Sequence, residues 1–190
     1  MRTDFADLDV TAGAILVLAP RWPTHSTLIT NAITFALDAQ SPQGTCETSW
    51  TINEASVILR TVDALATAHT RHTHPATPGL PEAVANPIPA AVTRSIARLL
   101  DTQNHDGGWS RRPEEDSGTL ATAQALPVIA RHPNPGPTLA ARTFLLERQH
   151  DNGSFPAAPD QVGPRPAHGY QQEQLRLRRR RQHHHATPAR

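Results

Sequence analysis

Two kinds of helical pattern alternate along the first 150 or so residues. The first is amphipathic. Ile29, Ala32, Ile33 and Ala36 fall at i, i+3, i+4 and i+7, which predicts a helix with one buried stripe from about Ser26 to Gln40. Val92, Ile96, Leu99 and Leu100 repeat the pattern ahead of Gln103, and Leu139, Thr143, Phe144 and Leu146 repeat it more weakly ahead of Gln149. The second kind is apolar on most faces and is expected to be buried all round. Thr11-Ala-Gly-Ala-Ile-Leu-Val-Leu-Ala19 matches Thr122-Ala-Gln-Ala-Leu-Pro-Val-Ile-Ala130 almost position for position, and Asn53 to Ala66 is a less similar third member. Pro127 lies inside the last of these and is expected to kink or shorten it.

The joints between the two kinds also recur. Each amphipathic segment closes on a glutamine, followed four residues on by glycine and six residues on by Cys46, Trp109 or Phe155: Gln40-Ser-Pro-Gln-Gly44-Thr-Cys46, Gln103-Asn-His-Asp-Gly107-Gly-Trp109 and Gln149-His-Asp-Asn-Gly153-Ser-Phe155. A fixed spacing that returns after each helical hairpin predicts an αα-repeat array, so the expected fold class is all-α. His69 to Ala90, rich in Pro, His and Thr, reads as a long loop between repeats, and His132 to Pro137 as a short turn.

Composition narrows the picture. The 190 residues hold 18 basic and 17 acidic side chains, so the body offers no strong electrostatic partner, and nucleic acid is not expected to bind. Every basic residue is Arg. The hydrophobic fraction of 37% lies below the ~45–50% of a globular domain, which predicts less core than a complete domain buries. Cys46 is the only cysteine, which excludes a disulfide framework. Acidic residues stand where a signal peptide needs an apolar core, and the run Ala12 to Ala19 is far short of the ~20 residues of a membrane span. The expected location is cytoplasmic, with membrane contact at most peripheral.

The three turns resemble the QW-type repeats of the terpene cyclase and prenyltransferase superfamily. Those proteins are αα-toroids, with inner and outer rings of helices around a cavity. The resemblance implies a partial α/α toroid of about three helical hairpins over residues 7–166, followed by a low-complexity Arg- and His-rich tail over 167–190 without packed structure. It further implies that Gln40, Gly44, Gln103, Gly107, Trp109, Gln149, Gly153 and Phe155 form structural clasps, each Gln capping an outer helix on which the aromatic stacks. Cys46 makes the first clasp weaker, and Trp50 is a candidate substitute for the missing ring.

Within the superfamily, Asp7-Leu-Asp9-Val-Thr-Ala12 resembles the Asp-x-Asp-Asp-Thr-Ala signature of class II cyclases such as squalene–hopene cyclases, with Val10 in place of the last Asp. The resemblance implies Asp9 as the acid that protonates an isoprenoid alkene and Asp7 as its orienting neighbour. Such an acid needs a dry setting and a cavity that stabilises carbocations with aromatic faces, and the chain has only 3 Trp, 1 Tyr and 4 Phe. The plainer reading of Asp9 is a helix cap or first-turn acid, a role that Asp116 and Ser117 repeat before the third apolar helix. Protonation needs no metal, and Mg²⁺ enters only with a diphosphate substrate.

Protein prenyltransferase β subunits share the toroid, and Phe144 to Phe155 echoes their repeat. Their zinc takes an Asp, a Cys and a His, and no such set is placed here; His72 and His74 are too few ligands, so no metal site is expected. The chain opens on a buried helix without an outer helix before it and closes after an outer helix without an inner partner. It is expected to be a fragment, inactive alone, whose partners are an isoprenoid substrate and a protein that completes the ring. An altered reading frame would account for the Arg/His tail. The rival readings are a non-catalytic helical-repeat module that binds a partner, and a prenyltransferase-like fragment.

Overall fold

The computed structural model describes residues 7–21, 24–46, 51–73, 79–112 and 115–158. In chain order the helices are α1 (Leu8–Leu18) with a 3-10 turn at Ala19–Arg21, α2 (Ser26–Asp38), α3 (Glu54–His72), the single turn α4 (Glu82–Ala85), α5 (Ile88–Asp101), α6 (Thr119–Ile129) and α7 (Gly136–Leu146). No strand occurs among the described residues; Trp109 and Gly118 form an isolated bridge.

The helices stack in two layers. In one, α3 lies between α1 and α6; in the other, α2 packs on α1, α5 on α3 and α7 on α6. The core between the layers follows the stripes the sequence predicts on α2 and α5. Ile29, Ile33 and Ala36 are fully buried, as are Ile88, Ala91 and Leu99, with Val92, Ile96 and Leu100 packed around them. From α1 and α3 come Ile15, Ile58, Val62 and Leu65, and from α6 Ala125, Val128 and Ile129. Burying a side chain of this size stabilises by about 1.5–3 kcal/mol relative to exposure, so this seam holds the layers together.

Four expectations are corrected. His69 to Ala90 is not one loop: α3 runs on to His72, because Thr67, Ala68, Thr70 and Arg71 carry no helix breaker, and α4 and the start of α5 occupy its far end. Pro127 does not shorten α6, which runs past it to Ile129. The i−4 carbonyl that its ring leaves without a donor belongs to Ala123, and both residues are exposed, where water replaces the lost bond. The stripe on α7 is not Leu139–Thr143–Phe144–Leu146; only Ala141 and Phe144 are buried, and Leu139 and Leu146 are exposed. Finally, α1 is not buried all round. Leu8, Ala12 and Ile15 face the core, while Val10 and Val17, seven residues apart, share an exposed face. Trp50, His74, the last residues of the 7–166 span from 159 onward and the tail 167–190 lie outside the described residues.

Candidate functional site

The first candidate lies at the start of α1. Asp7 has extended backbone angles and is the N-cap of α1; its Oδ1 accepts the Val10 N–H at 2.8 Å, which satisfies one of the otherwise unpaired first-turn donors. The Thr11 hydroxyl donates to the Asp7 carbonyl at 2.6 Å. Asp9 stands in the first helical turn, where its negative charge suits the helix dipole. Its Oδ2 pairs with Arg60 Nη1 of α3 at 3.2 Å, while its Oδ1 is buried without a hydrogen-bond partner among the described residues.

That pair belongs to a polar seam across the layer of α1, α3 and α6. One turn beyond Arg60, Asp63 binds Arg131 at the end of α6. At the other end of α3, the Asn53 side chain caps the helix through the Ala55 N–H and donates to Gln124, whose amide reaches Ser56. Asn53, Ser56 and Asp63 meet Gln124 and Arg131 in ascending order, so α3 and α6 run in the same direction. The sequence reading did not single out Arg60, Asp63, Gln124 or Arg131. A signal was available: Arg60 and Asp63 break the apolar pattern at i, i+3, and so mark a polar face on a helix expected to be buried all round.

The three turns form the second candidate. Gly44, Gly107 and Gly153 have φ of 80°, 84° and 83°, left-handed values that favour glycine. In the first turn the Gln40 amide nitrogen donates to the Ala91 carbonyl at 3.0 Å and to Ser95 Oγ at 2.8 Å, and its oxygen accepts from Arg94 Nε and Nη2 at 3.2 and 2.8 Å. In the second, the Gln103 amide nitrogen donates to its own turn at Gly107 and to the Pro137 carbonyl of α7, each at 2.9 Å. Gly44 and Gly107 each press on the helix that their own Gln binds. A Cβ on Gly44 would stand 2.3 Å from the Arg94 carbonyl oxygen, and one on Gly107 2.6 Å from that of Ala140.

The residue six places after each Gln behaves differently in each turn. Trp109 is 2% exposed; its indole N–H donates to the Leu99 carbonyl at 2.8 Å and its backbone N–H to the Thr122 hydroxyl at 3.0 Å. Cys46 fills the same place in the first turn and is also buried. Burial, with Glu54 nearby and against a hydrogen bond from Thr61, pushes its thiol up to about 11, so it is neither a ready nucleophile nor a ready thiolate ligand. Phe155 is 45% exposed, and Gln149 binds only Gly153 of its own turn, at 3.0 Å.

Asp116 and Ser117 do not cap α6. The cap is Gly118, without a side-chain bond. Ser117 donates instead to Asp106 at 2.7 Å and accepts from Asn104 at 2.8 Å. Burial pushes the Asp106 carboxyl up, but hydrogen bonds from Ser117 and the Gly108 N–H, with the charges of Arg148 and His105, outweigh it and hold the group below its ordinary value. Among the described residues no group of three or more His, Cys, Asp or Glu side chains could hold a metal ion, and no helix is long and apolar enough to cross a membrane.

No protein-family model matches the chain. It is 34% identical over 166 residues to the drimenyl diphosphate synthase of Streptomyces showdoensis. To that of Streptantibioticus cattleyicolor it is 32% identical over 163 residues. Each match covers 85% of this chain and 29% of the relative, so the chain spans less than a third of the length of these curated relatives. Among solved structures, a protein from Actinoplanes matches with a TM-score of 0.55 at 22% identity, over 78% of this chain and 39% of that one. The ent-copalyl diphosphate synthase of Streptomyces platensis matches with a TM-score of 0.52 at 21% identity, over 78% and 27%. The all-α fold and these relatives together support a terpene cyclase family for the stretch the chain shares with them.

Proposed function

We propose that this chain supplies the proton-donor segment of a class II type terpene cyclase and is inactive without further helical repeats. The observation that carries the reading is the sequence identity to two drimenyl diphosphate synthases along most of the chain, joined to the position of Asp9 in the first turn of α1 with one carboxylate oxygen buried and without a partner. In this reading Asp7, Asp9, Thr11 and Ala12 are the surviving members of the acid motif, and residues 7–166 form part of an α/α toroid clasped at Gln40, Gln103 and Gln149.

The reaction is the cyclisation of a linear isoprenoid diphosphate to a cyclic diphosphate of the drimenyl kind. Asp9, protonated, gives its proton to one carbon of the terminal alkene, and the cation forms at the other carbon. The π electrons of the next alkene close the ring, and loss of a proton from a neighbouring carbon ends the sequence with the diphosphate intact. Asp9 is thereby left as carboxylate, and the proton released at the end restores the balance. Asp7 fixes the start of α1 through Val10, and Thr11 fixes Asp7, so both act by holding Asp9 in place. For Asp9 to act as an acid, Arg60 must release its oxygen. No step passes through Mg²⁺, which a diphosphate substrate would bring with it.

A chimaera tests this. Residues 7–158 replace the matching stretch of the Streptomyces showdoensis enzyme, and the product from a linear isoprenoid diphosphate is analysed in heavy water. A cyclic product carrying deuterium at the protonated carbon is expected, with none from Asp9→Asn. Turnover retained in Asp9→Asn sinks the assignment. A second reading, a non-catalytic repeat module that binds a partner, draws on the Asp9–Arg60 pair, which already engages the acid. It predicts a folded chimaera that makes no product with either residue at position 9.

A further inference from the structure

The two seated turns share one register. The carbonyl that receives the Gln amide lies twelve residues ahead of the next turn's Gln in both cases, Ala91 before Gln103 and Pro137 before Gln149. The carbonyl against which the glycine presses lies nine residues ahead, Arg94 and Ala140. Counting back from Gln40 by the same steps reaches Leu28 and Asn31 on α2. This face carries no turn among the described residues: Leu28 is 53% exposed where Ala91 is buried and Pro137 half-buried, and Asn31 is as open as Ala140 beneath Gly107.

The other end of the array is open in the complementary sense. Gly153 keeps the left-handed φ of the seated glycines, yet a Cβ there would meet nothing closer than Gln149 Nε2 at 3.9 Å. Gln149 has no carbonyl outside its own turn. Phe155 is half exposed beside an apolar cavity of about 210 Å³ lined by Leu120, Ala123, Leu145, Pro156 and Ala157. Among the described residues one turn therefore seats on no helix and one helix face receives no turn, and α5 and α7 show twice what such a pair looks like when joined.

We propose that two copies of this chain associate head to tail, the Gln149–Phe155 turn of one seating on the Leu28–Asn31 face of α2 in the other. Gln149 then donates to the Leu28 carbonyl, Gly153 lies against the Asn31 carbonyl, and Phe155 loses its exposure. Each copy offers one surface of each kind, so the pair of contacts is isologous about a two-fold axis, and in the dimer every described turn is seated. The inference rests on repeat geometry and not on the chemistry proposed above, so loss of cyclisation leaves it standing.

Light scattering on the size-separated 190-residue chain, over a range of concentrations, tests it. The mass is expected to rise with concentration from 20.7 kDa to twice that value. Gly153→Ala holds it at the monomer, because the new Cβ meets the docked helix and the φ of 83° strains the turn that seats there, and far-UV circular dichroism verifies that the helices persist. Leu28→Arg blocks the other surface. An equimolar mixture of the two variants regains dimer, since one intact turn meets one intact α2. Gln149→Ala, which loses a single bond inside an exposed turn, weakens the dimer at least about tenfold. A wild-type chain that stays monomeric throughout overturns the proposal and leaves both open surfaces to other helices. A dimer indifferent to Gly153→Ala and Leu28→Arg overturns it as well.

Discussion

If the Gln side chains bind the layers together, truncating them should cost stability in proportion to the bonds each makes across the repeat. Gln40 makes two donor contacts, to Ala91 and Ser95, and accepts two from the Arg94 guanidinium. At about 1 kcal/mol for a neutral bond and about 1.5–3 for a charged partner, the sum is roughly 3–5 kcal/mol. Arg94 is part exposed and recovers water when its partner leaves, so Gln40→Ala should cost about 3 kcal/mol. Gln103→Ala loses bonds to Gly107 and Pro137 and should cost about 2 kcal/mol. Gln149→Ala loses one exposed bond within its own turn and should cost less than about 1 kcal/mol. Urea unfolding followed by far-UV circular dichroism reads all three as shifts in midpoint at constant slope. Arg94→Ala should also cost about 1 kcal/mol less in the Gln40→Ala background than in the wild type, since the two share a contact. Equal costs for Gln40 and Gln149, or a Gln40→Ala variant within about 0.5 kcal/mol of wild type, would refute the reasoning.

Glycine substitutions should separate backbone strain from collision. Gly107→Ala meets both a φ of 84° and the Ala140 carbonyl at 2.6 Å, and should cost about 3 kcal/mol or more, whereas Gly153→Ala meets only the φ and should cost about 1 kcal/mol in the monomer; thermal melts compare them. Trp109→Phe keeps most of the buried ring but deletes the indole bond to the Leu99 carbonyl, which the Thr102 N–H and hydroxyl still engage, and should lower stability by about 1 kcal/mol in the same urea assay. For Cys46 the folded thiol is raised to about 11 from 9.0, so the native state holds its proton more tightly than the unfolded chain. Its contribution is complete below about pH 9 and is lost as the pH climbs to about 11. At 1.36 kcal/mol per unit this approaches about 2–3 kcal/mol, read as the pH-dependent difference in stability between wild type and Cys46→Ala. A difference that does not change over that range would show the thiol to be solvated.

Local pattern made the skeleton legible. Helix α2 was readable within two residues of its end because Ile29, Ile33 and Ala36 mark one face and Gln40 ends it. The recurring Gln-to-Gly spacing marked the turns because each needs a left-handed residue at a fixed place after the helix. Long-range pairing was not legible. Nothing near Gln40 in sequence points to Arg94, and nothing near Asp9 points to Arg60, since both contacts depend on how layers stack. Pro127 misled because the cost of a helical proline depends on whether its lost acceptor faces core or water, and periodicity alone did not place Ala123 on the exposed side.

What Asp9 faces sets what this stretch can do. A cation made by alkene protonation needs aromatic faces or comparable negative potential around it. The described aromatic residues are committed elsewhere: Phe35 packs on the core from α2, Trp109 and Phe144 are buried in and against the turns, and Phe155 stands at the last one. What meets Asp9 among the described residues is the Arg60 guanidinium instead. A guanidinium beside the nascent cation would oppose it. Under the proposed function, the rings that cyclisation needs come from outside the described residues, and the chain matches 29% of each relative. Arg60→Met in the chimaera, which frees Asp9 without adding a ring, should then raise turnover only where the remainder of the relative supplies the aromatic wall. In the 190-residue chain alone the same substitution should yield no cyclic product, and a product there would show that this face suffices.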